Sequence, residues 1–569
     1  LSQRVGAVVN LETRGAAGRA FMFETGPNNG AMMNLYARSV REPSTTSLAA
    51  FLYSILPNDT DFSHSRDQNI AGFNIAFIGE PFHYHSATAT PNALDQGSLQ
   101  HLGSQALDLT RALLATDDLP EPRPNAVFSD IFGLFTLTYP AWVGWALVAL
   151  SGVGLLGLFI RSQPRAETIR VAAVGALGGL LVATACGALG LGLLWLTGSP
   201  TDFIMNRPLL GRLDVFELAM ICACVGAVLL VSRYMLRGRS GLYRPHEAPA
   251  LGLLSLGWVM SVALQILAPE AAIIAAWPTL IGTVALLTAR RLGDLAWPIA
   301  TALGIVGSAW VIGVNHGVFL GVGATIPAAP AALTLLAILP LAALLMPAVR
   351  GRSTVPVGIG LVALAVAGGL WIRWAPSGTP ERPVPTLALY VADTTDGRAR
   401  LATLPAMRDP WTVAWLGREG TPVQTINLPA LGTSSWQTVA ASPVAMPRPT
   451  IVVTALAGGR YRIVASDPSA RELRLTLVSD QPMSQVSVMG HPVNAPAAGT
   501  PLVVRWADPG QGFAMSFVAP AGTTLHWAAF HDGWPDDARA LPRREPDTMP
   551  FGASDSLVVT GQLAITPPG

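Results

Sequence analysis

Between residues 131 and 374 the chain consists of long apolar runs separated by short loops, and this pattern limits the solvents in which it can fold. The runs lie near Trp142–Ile160, Val171–Leu196, Val215–Val231, Leu251–Leu267, Ala271–Leu287, Ala296–Val314, Ala331–Val349 and Val355–Ile372. Each is close to the ~20 apolar residues that cross ~30 Å of hydrocarbon, so the sequence predicts about eight transmembrane helices and the lipid bilayer as a partner. The fourth and fifth runs are joined only around Pro269–Glu270, which predicts a tight helical hairpin. Composition agrees: 51% of residues are hydrophobic and 12% charged, where soluble domains carry roughly 25% charge.

The loops alternate in charge. One set holds Arg161, Arg165, Arg170, Arg233, Arg237, Arg239, Arg244, Arg290, Arg291, Arg350 and Arg352, and the other only Arg207 and Arg212. Positive loops stay in the cytoplasm, so the eleven-to-two asymmetry places the first set there. An even number of spans then puts both flanking regions on the exported face, with a bacterial inner membrane as the expected location. The basic residues are all Arg and net charge is +1, which gives no reason to expect a nucleic-acid partner. Cys186, Cys222 and Cys224 lie inside apolar runs and are expected to pack between helices rather than form disulfides.

Residues 1–118 are predicted to be α/β, with strands at Val5–Leu11, Ala20–Phe23 and Phe73–Ile78. Helical patterns cover Asn29–Val40, Thr46–Leu56 and Ser98–Leu114; in the last, Leu99, Leu102, Ala106, Leu109 and Leu113 share a face and Ser98 is the expected N-cap. A linker (119–130), the membrane region (131–374) and a second Pro-rich linker (375–385) follow. Residues 386–569 turn to short alternating segments, Ile451–Ala455, Tyr461–Ala465, Leu473–Val478, Leu502–Trp506, Phe513–Val518 and Thr524–Phe530, with turn residues between them. That spacing predicts an exported β-sandwich or jelly roll. The first residue is Leu1 and no leader-like segment precedes the first strand, so the chain is expected to be an N-terminally truncated piece or one read from the wrong start.

Four of the nine histidines, His64, His83, His85 and His101, fall in the first 101 residues, and FHYHSATATPN follows a predicted strand directly. Loops after strands are where α/β folds place their sites. His-x-His in such a loop suits a metal site or an ordinary polar surface loop.

The ordered series NLETRGAAG, FMFETGPNN, LPNDTDF, GFNIAFIG and YHSATATPNALD with SLQHLG resembles the membrane-anchored branch of the M28 zinc aminopeptidases over residues 1 to about 115. The resemblance implies a partial zinc-aminopeptidase domain, two Zn²⁺ ions in the full-length parent and peptides with a free N-terminus as substrates. It implies Glu12 and His85 as metal ligands, with Tyr84 stabilising the oxyanion of the tetrahedral intermediate. Carboxylate oxygen and neutral imidazole nitrogen are both good Zn²⁺ donors. Glu12 has a second reading as an edge-of-sheet carboxylate paired with Arg14. Glu24, Asp61 and His83 are expected to order the surrounding loops rather than to bind metal; His101 is expected to be a surface or packing residue.

Two departures weigh against a complete site in these residues. The family's His-x-Asp and Glu-Glu pairs, which hold further ligands and the general base, are absent from the sequence, as expected of a truncated chain. Ala89 stands where the family has Asp, which removes an expected support for His85. Within the membrane, Glu217 suits a polar pathway or, lying within one turn of Asp214 and Arg212, an interfacial ion pair with Arg212, and the ion pair is expected. Two functions follow: a membrane-bound zinc aminopeptidase, inactive in this truncated form, or a non-catalytic membrane protein that uses its peptidase-like and β-sandwich domains as binding modules.

Overall fold

The computed structural model describes residues 5–56, 59–162, 164–199, 206–235, 248–291, 296–349, 351–375, 378–407, 409–417, 422–432, 434–520 and 522–565. Arg237, Arg239, Arg244 and Arg350 lie outside the described residues. The chain forms two compact units, residues 1–375 and 376–569.

The first unit begins with a three-stranded sheet, β1 (Ala7–Thr13), β2 (Phe21–Thr25) and β3 (Ala71–Phe77), in the order β1-β3-β2. β1 runs parallel to β3, and β2 antiparallel to it. Helices α1 (Gly30–Ser39), α2 (Ser47–Ile55), α3 (Phe62–Asp67) and α4 (Gln96–Leu114) accompany the sheet. Phe73, Ile75 and Phe77 project from one face of β3 into a core with Met22, Tyr36 and Leu109, while the intervening Asn74 projects from the other face. α4 departs from expectation at its start. Asp95 is the N-cap, accepting from Ser98 N at 2.7 Å and Ser98 Oγ at 2.6 Å, and Leu99 is exposed because Leu102, Gln105 and Leu109 form the buried stripe. Within the expected linker, Ala126–Ile131 forms a strand, β4, paired with β5 (Phe135–Pro140) in a hairpin that leads into the membrane region.

Seven described helices are long and apolar enough to cross a bilayer, and the chain is a membrane protein. They are α5 (Val143–Ile160), α6 (Arg165–Thr197), α8 (Leu213–Met235), α9 (Ala248–Leu267), α10 (Ile273–Arg291), α11 (Ala296–Val318, prolonged by a π turn at Phe319–Gly323) and α15 (Thr354–Trp374). A short helix, α7 (Arg207–Leu210), precedes α8.

The remaining expected span, Ala331–Val349, is not one continuous helix. It forms three short ones, α12 (Ala328–Ala332), α13 (Thr334–Ile338) and α14 (Ala342–Ala348). Pro340 interrupts the last two, because proline lacks the N–H that a helix interior requires and its ring clashes with the preceding turn. The broken segment nevertheless runs along about half of α6. Pro327 and Ala331 pack on Gly190, Leu335 on Gly179, and Ile338, Ala342 and Leu345 line a small cavity with Val174 and Gly175. From Gly190 to Gly175 is 15 residues of helix, about 23 Å, most of a bilayer core.

At one end of the bundle Arg290, at the end of α10, reaches Leu158 O at 3.2 Å and Ser162 Oγ at 3.1 Å at the end of α5. The N-terminal sheet and its helices sit at the other end. Ser47 Oγ donates to Glu270 O at 2.6 Å, and Trp310 Nε1 to Asp130 O at 3.2 Å. Cys186, Cys222 and Cys224 are buried free thiols. Glu217 meets His316 Nδ1 of α11 at 2.6 Å, while Arg212 lies over the Trp371 ring; the expected Glu217–Arg212 pair is therefore replaced by a pair between two helices.

Among the described residues the second unit is all-β apart from one short α-helix, α16 (Pro410–Leu416), and the 3-10 turns Pro429–Leu431 and Pro509–Gln511. Its larger sheet has eight strands in the order Leu502–Ala507, Glu472–Val478, Thr524–Asp532, Ser556–Ala564, Leu389–Asp393, Ala399–Thr403, Ser435–Ala441, Gln424–Asn427. A five-stranded sheet holds Thr450–Leu456, Arg460–Ser466, Phe513–Val518, Ser484–Val488 and His491–Pro492. Ile463 and Phe517 of the smaller sheet and Leu475 and Leu525 of the larger share one core, as in a sandwich. A second core of Tyr390, Leu401, Trp415 and Val439 lies under α16.

Candidate active site

Glu12 lies near the C-terminal end of β1, opposite Ala76 of β3. Beyond the strands the two chain segments stay together: Arg14 N donates to Phe77 O at 3.0 Å and Ala16 N to Gly79 O at 3.1 Å. The approach is close enough that a Cβ on Gly15 would sit 2.0 Å from Gly79 O, so that position has to be glycine. After Gly79 the chain enters a loop through Glu80 in the left-handed region (φ 50°), buries Pro81 and Phe82, and presents His83, Tyr84 and His85. It returns where Asp95 N donates to Ala16 O at 2.9 Å. Glu12 and the Tyr84–His85 loop thus belong to the same edge of the sheet.

Within that loop the Tyr84 and His85 rings stack, their centroids 3.9 Å apart and their planes 17° from parallel. Partial burial, then the positive charge of Arg207, holds the His85 imidazole below its usual pKa. It is therefore neutral near pH 7, the form in which imidazole binds a metal. His83 Nδ1 engages Thr88 O at 3.1 Å and Thr88 Oγ1 at 3.0 Å, while Ser86 Oγ donates to His83 O at 3.0 Å; these contacts close the 83–88 turn. Asp61 is exposed at the start of α3 and makes no capping hydrogen bond there.

Glu12 and Glu24 are linked through residues that sequence reasoning missed. Asn10 Nδ2 donates to Glu12 Oε1 at 3.1 Å and to Asn74 Oδ1 at 2.9 Å. Asn74 Nδ2 in turn donates to Glu24 Oε2 at 2.9 Å and Thr60 Oγ1 at 2.8 Å, and Arg66 Nη1 donates to Glu24 Oε1 at 2.6 Å. Asn10, Asn74 and Glu24 stand side by side on three neighbouring strands. A β-bulge makes this possible. Met22 opposes Ile75 on the core face, and the shifted register places Glu24, only two residues later, opposite Asn74 on the other face. Asn74 is fully buried and Glu24 nearly so, and a buried carboxylate is tolerated when it is paired and hydrogen-bonded. The signal available in sequence was a lone Asn in the middle of the apolar run GFNIAF.

Two further groups are structural. His101 Nδ1 accepts from Ala20 N at 3.0 Å and Nε2 faces Glu42 O at 2.8 Å, which assigns the proton to Nε2 and both ring nitrogens to holding backbone. Arg14 Nη1 donates to Gly321 O at 2.9 Å in the π turn of the bundle.

The residues present fit the metal that the resemblance implies only in part. Catalytic zinc takes three protein ligands, and among the described residues no group of three or more His, Cys, Asp or Glu is placed to hold a metal. Glu12 and His85 are suitable donors in kind but do not amount to a zinc site by themselves.

Comparison with known proteins shows what this sheet and loop are similar to. Residues 1–110 match peptidase family M28. The chain is 34% identical over 145 residues to human endoplasmic reticulum metallopeptidase 1, covering 24% of this chain and 16% of that protein. It is 33% identical over 146 residues to putative endoplasmic reticulum metallopeptidase 1-A of Caenorhabditis elegans, covering 24% and 16%. Against vacuolar membrane protease of Eremothecium gossypii it is 32% identical over 143 residues, covering 25% and 14%. The matched part thus spans about one sixth of these relatives' length. Both kinds of relative agree with the membrane-anchored branch of the M28 peptidases. No solved structure matches.

Proposed function

We propose that this chain is part of a membrane-bound zinc aminopeptidase that trims peptides from their free N-termini on the exported side of the membrane. The observation that carries this reading is the M28 match over the residues that bring Glu12 and the Tyr84–His85 loop to one sheet edge. In this reading Glu12 and His85 are two of the metal ligands, with others needed beyond the described donors, and Tyr84 donates to the oxyanion of the attacked carbonyl. The Asn10–Asn74–Glu24–Arg66 chain holds the Glu12 carboxylate. Sidedness is supported by the contact of Ser47 with Glu270, just before α10, while Arg290 lies at the opposite end of that helix.

The full-length protein is expected to cleave aminoacyl nitroanilides, to lose that activity with a zinc chelator, and to lose it with His85→Ala. Reporter fusions after Leu196 and after Arg244 are expected in opposite compartments. One observation favours a second reading, a non-catalytic protein with a peptidase-like binding domain: the described donors do not make a three-ligand group. No cleavage by the full-length protein selects that alternative, whereas chelator-insensitive cleavage contradicts the zinc dependence alone.

A further inference from the structure

Arg207 opens α7, in the connection between α6 and α8, 122 residues after His85. Its side chain is 1% exposed, an unusual place for a guanidinium. Burial pulls its pKa down to about 10, so it keeps its charge at neutral pH against a desolvation cost that only good hydrogen bonds offset. Two of those bonds go to the loop of the candidate site. Nη1 donates to Phe82 O at 2.5 Å and Nη2 to His85 O at 3.1 Å.

The two carbonyls bracket His83 and Tyr84. They also belong to a strained backbone: His85 has φ 49° and Glu80 φ 50°, left-handed values that are unfavourable for a non-glycine residue unless the surroundings fix them. A rigid fork of N–H donors suits two carbonyls at fixed spacing, whereas a lysine ammonium is a single mobile point. Ser47, Trp310 and Arg14 attach this domain to the bundle elsewhere. The Arg207 pair differs from those three contacts in reaching the Phe82–His85 backbone itself.

The geometry points to Arg207 as a positioning residue by which the membrane bundle sets the conformation of the Tyr84–His85 loop. The bundle then does more than tether the peptidase domain: the orientation of the Tyr84 hydroxyl and the His85 imidazole depends on how α6 and α8 are joined. What the loop does once positioned rests on the peptidase reading. The clamp itself does not.

The test uses the full-length protein as wild type, Arg207→Gln and Arg207→Lys. Amide hydrogen exchange across residues 80–90 is expected to rise by at least about tenfold in Arg207→Gln, since each bond from a charged donor is worth roughly a factor of ten or more. Arg207→Lys is expected in between, with exchange in α8 and α9 unchanged in both. Cleavage of an aminoacyl nitroanilide is expected to fall by about 100-fold in kcat with KM held within about twofold, as for a reacting group displaced by about 1 Å. Exchange at 80–90 within twofold of wild type in both variants overturns the clamp. So does a rise spread equally over α8 and α9, which marks general loosening. If Arg207→Gln does not accumulate, Arg207→Lys decides by the same readouts. A wild type that exchanges as expected but does not cleave overturns the peptidase reading and leaves the clamp standing.

Discussion

The two regions that flank the bundle bury their residues by different means. In the C-terminal sandwich, strand Arg460–Ser466 alternates exposed and buried positions without a break, and its inner residues meet those of the larger sheet in one core. Each side of that core is supplied by the same domain. The N-terminal sheet has such a core on one face only. Its other face carries the polar row Asn10–Asn74–Glu24, β1 keeps Leu11 nearly half exposed, and its loops are anchored on carbonyls and indoles of the bundle. A domain that makes its own core is expected to stand alone, while one whose loops are shaped by a neighbour is expected to take its final form on that neighbour.

Separating the regions breaks the comparison most sharply. Residues 386–569 alone are expected to give a strand-rich circular dichroism spectrum and one cooperative urea transition, whereas residues 5–140 alone are expected to show no cooperative transition. The opposite pair of results refutes the contrast. Within the sandwich, Leu475 is fully buried among apolar neighbours, so Leu475→Ala is expected to cost the isolated domain about 2–5 kcal/mol, read from its urea transition. In the N-terminal sheet, Asn74→Ala removes donors to Glu24 and an acceptor of Asn10. It is expected to cost about 1–3 kcal/mol and to free the Glu12 side chain, read as faster proteolysis of the domain in the intact protein.

The smallest effect is a pH dependence confined to the sandwich. Burial holds the His526 imidazole below its usual value of 6.5, partly offset by Asp393. The unfolded chain then binds a proton more readily than the folded one. Stability is therefore expected to fall as pH drops through 6.5 toward the folded value, and His526→Gln is expected to flatten that slope. An unchanged slope in the variant assigns the dependence to other groups.

Strand positions in the sandwich are legible in the sequence because period-two alternation survives where one domain supplies both sides of a core. All six strands expected after residue 450 are present, within one or two residues at their ends. Seven of the eight spans are legible as unbroken helices for the same kind of reason, length and apolarity; Ala331–Val349 is not, because its apolar count conceals the break at Pro340. Glu24 stands out in the sequence as a group that orders its surroundings, but its partners are hidden there. Strict alternation puts Met22 and Glu24 on one face, and only the bulge separates them. Arg207 reads in sequence as one of two arginines in an exported loop, since nothing local to it records a contact 122 residues away.

Metal content tests the central claim most directly. The full-length protein, purified and dialysed against buffer without chelator, is expected to retain two zinc ions per chain by elemental analysis, and Glu12→Ala with His85→Ala is expected to retain fewer than one. Wild-type protein without zinc, or a double variant with an unchanged zinc content, contradicts the assignment of Glu12 and His85 to a peptidase metal centre.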